Sequence, residues 1–252
     1  MSFIVGIDGP AGTGKGTITN LVAKDLKLML KNKPLVISIS TVFIGAIGAM
    51  ARMSLLTYYV IYVVGSYTMI SAVFTTLTVC QIIGTATLPW GTKKFGKKGY
   101  MIILLIINAA SDLVLFFNGH PTIAFVLGVS VIGGFSQGAG AISYGMMCDS
   151  IDYGDYKFGV RNEGISSSLM SFSVKLASAI TGSLSIWLLA AAGYVAGEQQ
   201  SASAMTGINV IVNLIPAILQ LVGIIPLIWY KLDSKKMDEV AIALKERNEG
   251  MK

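Results

Sequence analysis

Six apolar runs, each long enough to carry a helix across a bilayer, constrain the fold of this chain more than any other feature. A hydrocarbon core of about 30 Å takes roughly 20 helical residues at about 1.5 Å each. Runs of that order extend from Leu35 to Val64, Met69 to Trp90, Tyr100 to Phe117, Thr122 to Met147, Gly164 to Val195, and Gly207 to Tyr230. The segments that follow them are GSY, GTKKFGKK, NGHP, CDSIDYGDYKFGVRNE, AGEQQSASAMT and the tail KLDSKKMDEVAIALKERNEGMK. Each carries breakers or charges that stop an apolar helix. In lipid every backbone N–H and C=O must be satisfied internally, so the spanning runs are expected as helices. The expected fold is an all-α membrane protein of six transmembrane helices with a cytoplasmic tail.

Composition points the same way. The 252 residues are 54% hydrophobic and 13% charged, far from the roughly 25% charged residues of soluble domains. The formal charge of +6 does not indicate nucleic acid, because the basic residues lie in short clusters between apolar runs. Membrane lipid is the expected surrounding. Cys80 and Cys148 fit no CxxC or Cys/His metal spacing and read as small hydrophobes. The N-terminus has no basic region ahead of an apolar core and does not read as a signal peptide.

Six crossings put both termini on one side, and lysine and arginine identify it as the cytoplasm. Seventeen of the 19 basic residues lie in segments on that side, and the three connections on the other side hold none. The other two, Arg52 and Lys175, fall inside spans. Both termini are therefore expected in the cytoplasm of a cell (inner) membrane. Trp90 and Trp229 near inner helix ends, and Tyr58, Tyr59 and Tyr62 near an outer one, match an aromatic belt.

Polar groups at membrane depth are expensive and therefore informative. In the fifth run Gly164, Ser168, Ser171, Lys175, Ser178, Gly182 and Ser185 recur at steps of four and three, forming one polar stripe of small residues around a lysine. Such a stripe lines an aqueous cavity or packs closely on another helix. The lysine favours the cavity, since packing alone is served by alanine; a structural ion pair is the other reading. Arg52 lies near the middle of the first run with no motif to assign it a role. Asp112 lies close enough to the outer end of the third run for an interfacial or helix-packing place. His120 in NGHP reads as a solvated loop residue. Asp149, Asp152 and Asp155 recur every three residues in a short connection with Lys157, Arg161 and Glu163. They lack the ligand pattern of an EF-hand, and nearby cations are expected to pair them rather than a metal.

The stretch from Asp149 to Tyr194 resembles the signature of the glycoside–pentoside–hexuronide:cation symporters. That family carries D-x-x-D-Y-G-[ED]-[YW]-K, then R-x-E-[GS], a lysine within the following helix and a closing G-Y, all of which stand here. The similarity runs from about Leu30 to the end through YYVIYVVG, KKFGKK and QSASAMTGI. It implies helices seven to twelve of a twelve-helix major-facilitator fold, without the first six. It also implies secondary transport of a glycoside or related sugar coupled to Na⁺ or H⁺, with no other cofactor and no enzyme activity. By the same resemblance Lys175, Ser171 and Val174 belong to the substrate region. Asp149, Asp152, Tyr153, Gly154, Asp155, Lys157, Arg161 and Glu163 form a cytoplasmic gate where the loops of two halves meet. A separate N-terminal six-helix half is the implied partner.

Residues 1–28, with SFIVGIDGPAGTGKGTITN, resemble the opening of a bacterial cytidylate kinase. Gly9, Gly12 and Gly14 would let backbone N–H groups approach phosphates, and Lys15 would reach the terminal ones. Gly16 stands before Thr17, as it does in that kinase family. The sheet that holds a P-loop rigid does not follow, so this segment is expected to be vestigial and 29–252 to be the transporter half. A nucleotide-binding protein anchored by helices, or a non-functional fusion fragment, are the competing readings.

Overall fold

The computed structural model describes residues 26–119 and 121–249. The P-loop residues Gly9, Gly12, Gly14, Lys15, Gly16 and Thr17, like His120, lie outside them. Among the described residues every regular element is helical. Lys33–Tyr58 (α1) continues through a π-helical turn at Tyr59–Val63; Ile70–Ala86 (α2), Leu88–Phe117 (α3), Ile123–Ser136 (α4), Ala139–Phe158 (α5) and Glu163–Ala191 (α6) follow. Ala202–Asn209 (α7) runs through a second π turn, Val210–Leu214, into Ile215–Ile228 (α8), and Ser234–Glu249 (α9) forms the tail. Short polar residues cap several starts. Asn32, Thr122 and Ser201 accept backbone N–H groups of α1, α4 and α7, supplying acceptors that the first helical turn lacks.

Five helical stretches are long and apolar enough to cross a membrane: Lys33–Val63, Leu88–Phe117, Ile123–Phe158, Glu163–Ala191 and Ala202–Ile228. The expected second span is shorter than its apolar run. It is a helix of 17 residues, Ile70–Ala86, or about 25 Å. The chain breaks at Thr87, and Pro89, which has no N–H to continue the ladder of α2, stands in the first turn of the next helix. The third element begins at Leu88, not at Tyr100. GTKKFGKK is helical apart from Gly96 at φ 72°, a left-handed turn that glycine adopts without a Cβ penalty. The expected fourth span divides at Gln137 and Gly138. The acidic connection after it is largely helix, because α5 runs to Phe158 and stops at Gly159 in the left-handed region.

Close backbone contact between α2 and α4 lies beside the break between α4 and α5. A Cβ on Gly84 of α2 would meet the carbonyl oxygen of Phe135 at 2.0 Å, and one on Gly134 would meet that of Leu77 at 2.6 Å. Glycines thus let α2 and α4 cross nearly in van der Waals contact, as small residues do in membranes. The largest apolar cluster, which includes Leu56, Tyr59, Val73, Leu115, Val126 and Ile211, ties α1, α2, α3, α4 and the second π turn together. α6 is held differently. It packs chiefly on α1, through the buried face Ser166, Met170, Ser173, Ala177, Thr181 and Ser185.

Candidate functional site

The lysine of the polar stripe lies near the middle of α6. Gly164, Ser168, Ser171, Lys175, Ser178 and Gly182 are exposed, Val174 is half-buried, and Ser185 at the stripe's end is buried. Successive helical residues turn about 100°, so α6 presents three sectors. One is buried on α1, one carries Lys175, and one is apolar, with Phe172, Leu176, Ile180 and Trp187 exposed. Lys175 forms no ion pair among the described residues. Its surface is therefore one that this chain's own described elements leave open.

Arg52 and Asp112 do meet. The Arg52 guanidinium of α1 forms an ion pair with the Asp112 carboxylate of α3, the two residues being 3% and 0% exposed. Gln220 Nε2 of α8 donates to Asp112 Oδ2 at 3.2 Å. Of the two places expected for Asp112, interfacial or helix-packing, the structure shows the second: a carboxylate that finds a guanidinium and an amide inside the bundle need not reach water. Ahead of α8, Asn213 Nδ2 of the π turn donates to Oδ1 of Asn209, the last residue of α7, at 2.8 Å, and Asn209 Nδ2 donates to the Phe116 carbonyl at 2.9 Å. Two lone opposite charges in separate apolar runs were the signal for this pair.

Beside the pair lies a cleft of about 310 Å³ lined by Thr41, Gln81, Asn108, Gln137, Ser143 and Gln220, among others. It draws on α1, α2, α3, α5, α8 and the α4–α5 link. Asn108 is itself fixed, donating to the Gly133 carbonyl at 3.0 Å and to Ser136 Oγ at 2.7 Å. Amides and hydroxyls in an otherwise apolar wall are the donors and acceptors that polyhydroxylated ligands engage. The sequence reading did not single out these residues. Its signal was available: one uncharged amide in each of the second, third and fourth apolar runs and three in the last.

The acidic segment is a charge network on α5, not a loop. Asp149 accepts both contacts of Lys97 Nζ at 2.7 Å. Arg161 reaches Asp152 at 3.0 Å and Glu163 at 2.6 Å, and hydrogen bonding to Glu163, with the Asp152 charge, pushes the Arg161 guanidinium above its ordinary value. Arg247 of α9 donates to Asp155 Oδ1 at 2.7 Å. Lys157 lies 5.6 Å from the Tyr153 ring centre. Gly154 admits Asn32, whose Nδ2 would be 2.8 Å from a Cβ there and which donates to the Ser150 carbonyl at 2.7 Å. Cations do pair the acids. Only Arg161 comes from the same segment, however; Lys97 and Arg247 arrive from α3 and α9.

Apolar helices of spanning length around an interior ion pair and a polar cleft define a multi-pass membrane protein. The chain belongs to the MFS/sugar transport protein family, whose model matches residues 13–234. It is 32% identical over 217 residues to the isoprimeverose transporter of Lactiplantibacillus pentosus, covering 84% of this chain and 44% of that protein. It is 27% identical over 228 residues to the glucuronide carrier protein homolog of Escherichia coli K12, covering 88% and 49%. An uncharacterized 29.9 kDa protein in the crtE 3' region of Pseudescherichia vulneris is 30% identical over 207 residues, covering 80% and 72%. The chain thus spans about half the length of the first two.

Proposed function

We propose that residues 29–252 form one six-helix half of a secondary transporter for a glycoside or related sugar, coupled to Na⁺ or H⁺. In this reading they correspond to helices seven to twelve of a glycoside–pentoside–hexuronide:cation symporter, with both termini in the cytoplasm of the inner membrane. A second six-helix bundle completes the substrate path. The P-loop-like segment 1–28 takes no part in it.

The observation that carries this reading is the open surface around Lys175. A charge facing lipid at the bilayer centre costs about 2.5 to 3.5 kcal/mol even on the lenient insertion scale. A helix that spends serines, glycines and a lysine on one uncovered sector is built to face water or a polar partner there. Lys175, Ser171 and Val174 are assigned to the substrate path, and the amides of the cleft supply further contacts to sugar hydroxyls. The relatives named as a transporter of isoprimeverose and a glucuronide carrier support the substrate class. At the basic end, Asp149, Asp152, Tyr153, Gly154, Asp155, Lys157, Arg161 and Glu163, with Lys97, form the gate. Their charges exchange partners as the two halves rock around the site.

The test is reconstitution. The full chain is co-expressed with the first six helices of a homologous symporter, and cation-dependent sugar uptake is measured. Uptake abolished by Lys175→Ala, at an unchanged amount of chain in the membrane, supports the reading. Uptake that survives the substitution removes Lys175 from the path.

A further inference from the structure

We propose that the basic end of the bundle holds a binding site for a singly charged phosphate group, in the concavity between the break of α3 and the link from α8 to α9. A pocket of about 660 Å³ lies there, lined by Gly96, Lys97, Lys98, Lys231 and Lys235 together with Asp233 and neighbouring residues. The fold builds it. Gly96, with φ 72°, turns the chain so that Lys97 and Lys98 start a new helical stretch at the pocket wall. Lys98 Nζ donates to the carbonyls of Ile228 at 2.9 Å and Tyr230 at 3.0 Å. The end of α8 is thereby tied to α3, and Lys231 and Lys235 are brought to the opposite wall.

The charge balance of this pocket is uneven. Lys97 is neutralised by Asp149. Asp233 caps α9, its Oδ1 accepting from the Lys236 backbone N–H at 2.8 Å. Lys231 and Lys235 are exposed and have no ion pair among the described residues. Like charges gathered in a concavity repel unless an anion sits between them, and phosphate oxygens accept several ammonium donors at once. The rim is fitted to headgroup depth. Trp90 and Trp229 are each 62% exposed, as tryptophans at a membrane interface are, and Lys94 Nζ lies 5.2 Å from the Trp90 ring centre and 5.3 Å from that of Phe95. A phosphodiester of an anionic phospholipid and a free phosphate ion share this chemistry, and basic pockets beside membrane helices bind such headgroups.

The full chain is prepared from bilayers of phosphatidylcholine mixed with phosphatidylglycerol, and the lipid it retains is read by native mass spectrometry. Phosphatidylglycerol retention should fall about tenfold in the double variant Lys231→Gln, Lys235→Gln. It should persist in Lys231→Arg, Lys235→Arg and in Lys245→Gln, a change on the exposed tail. That pattern supports the site and assigns it to lipid. If instead inorganic phosphate raises the melting temperature of the lipid-free chain, but not of the double glutamine variant, the site is supported and takes the free ion. Equal lipid retention by the chain and the double glutamine variant, with no effect of phosphate on melting, overturns the proposal, as does loss of retention in the arginine variant.

Discussion

Arg52 on α1 and Asp112 on α3 neutralise one another inside the bundle, with Gln220 of α8 completing the contact. Removing one member strands the other, which in buried pairs costs about 3 to 5 kcal/mol. Asp112→Ala and Arg52→Ala should therefore each reduce the fraction of monodisperse protein recovered in detergent. The double replacement Arg52→Met, Asp112→Leu should recover most of it, because no charge is then left without a partner. Single variants that melt like the unsubstituted chain would show that water reaches the pair.

Lys175 makes the opposite prediction for stability. Its exposed side chain holds no partner charge among the described residues, so Lys175→Ala should change the melting temperature little while Asp112→Ala lowers it. A large loss on Lys175→Ala would indicate a structural ion pair instead. Lys175→Arg then separates charge from geometry in the uptake assay, since it keeps the first and alters the second.

Glycine spacing gives a third expectation. Gly84→Ala would drive a methyl group into the Phe135 carbonyl, whereas Gly128→Ala meets nothing within 4 Å. The first should cost about 1 to 3 kcal/mol or more through overpacking. The second should be neutral or slightly stabilising, since alanine is the better helix former. Thermal melts of the two variants in one detergent decide it, and equal values would place the α2–α4 crossing elsewhere.

Orientation is tested by labelling. With Cys80 and Cys148 replaced, single cysteines at Lys93 and Ser201 should divide between the two faces of the membrane, Ser201 reacting with an impermeant thiol reagent from outside intact cells. Outside labelling at Lys93 would reverse the assignment.

The spanning helices were legible because apolar length is a local property: five helical stretches have spanning length, and the second run forms the shorter helix Ile70–Ala86. Their ends were not. α5 continues through DSIDYGDYKF because Lys97, Arg161 and Arg247 receive its carboxylates, and two of those partners lie far away in the sequence. The break at Gly138 lies against the backbone of Gly84 and Thr85 of another helix, an approach that no window along one run reveals. The Arg52–Asp112 contact joins residues 60 positions apart; their charges were visible, their meeting was not. The cleft amides were overlooked for a simpler reason: uncharged side chains scarcely interrupt an apolar run. The stripe around Lys175 was visible as a pattern, but periodicity alone could not say which sector of α6 the rest of the chain leaves uncovered.

The seating of α6 has a mechanical consequence. A helix wedged among several neighbours can move only with them, but α6 rests on α1 along a track of mostly small side chains, Ser166, Ser173, Ala177 and Thr181. Such a track offers few interlocking ridges, so α6 is expected to shift lengthwise or tilt more readily than α1, α3 and α8, which the Arg52, Asp112 and Gln220 contacts join. If α6 moves in this way it carries Lys175 with it, and distances between spin labels on α6 and α8 should spread more widely than those between α1 and α8.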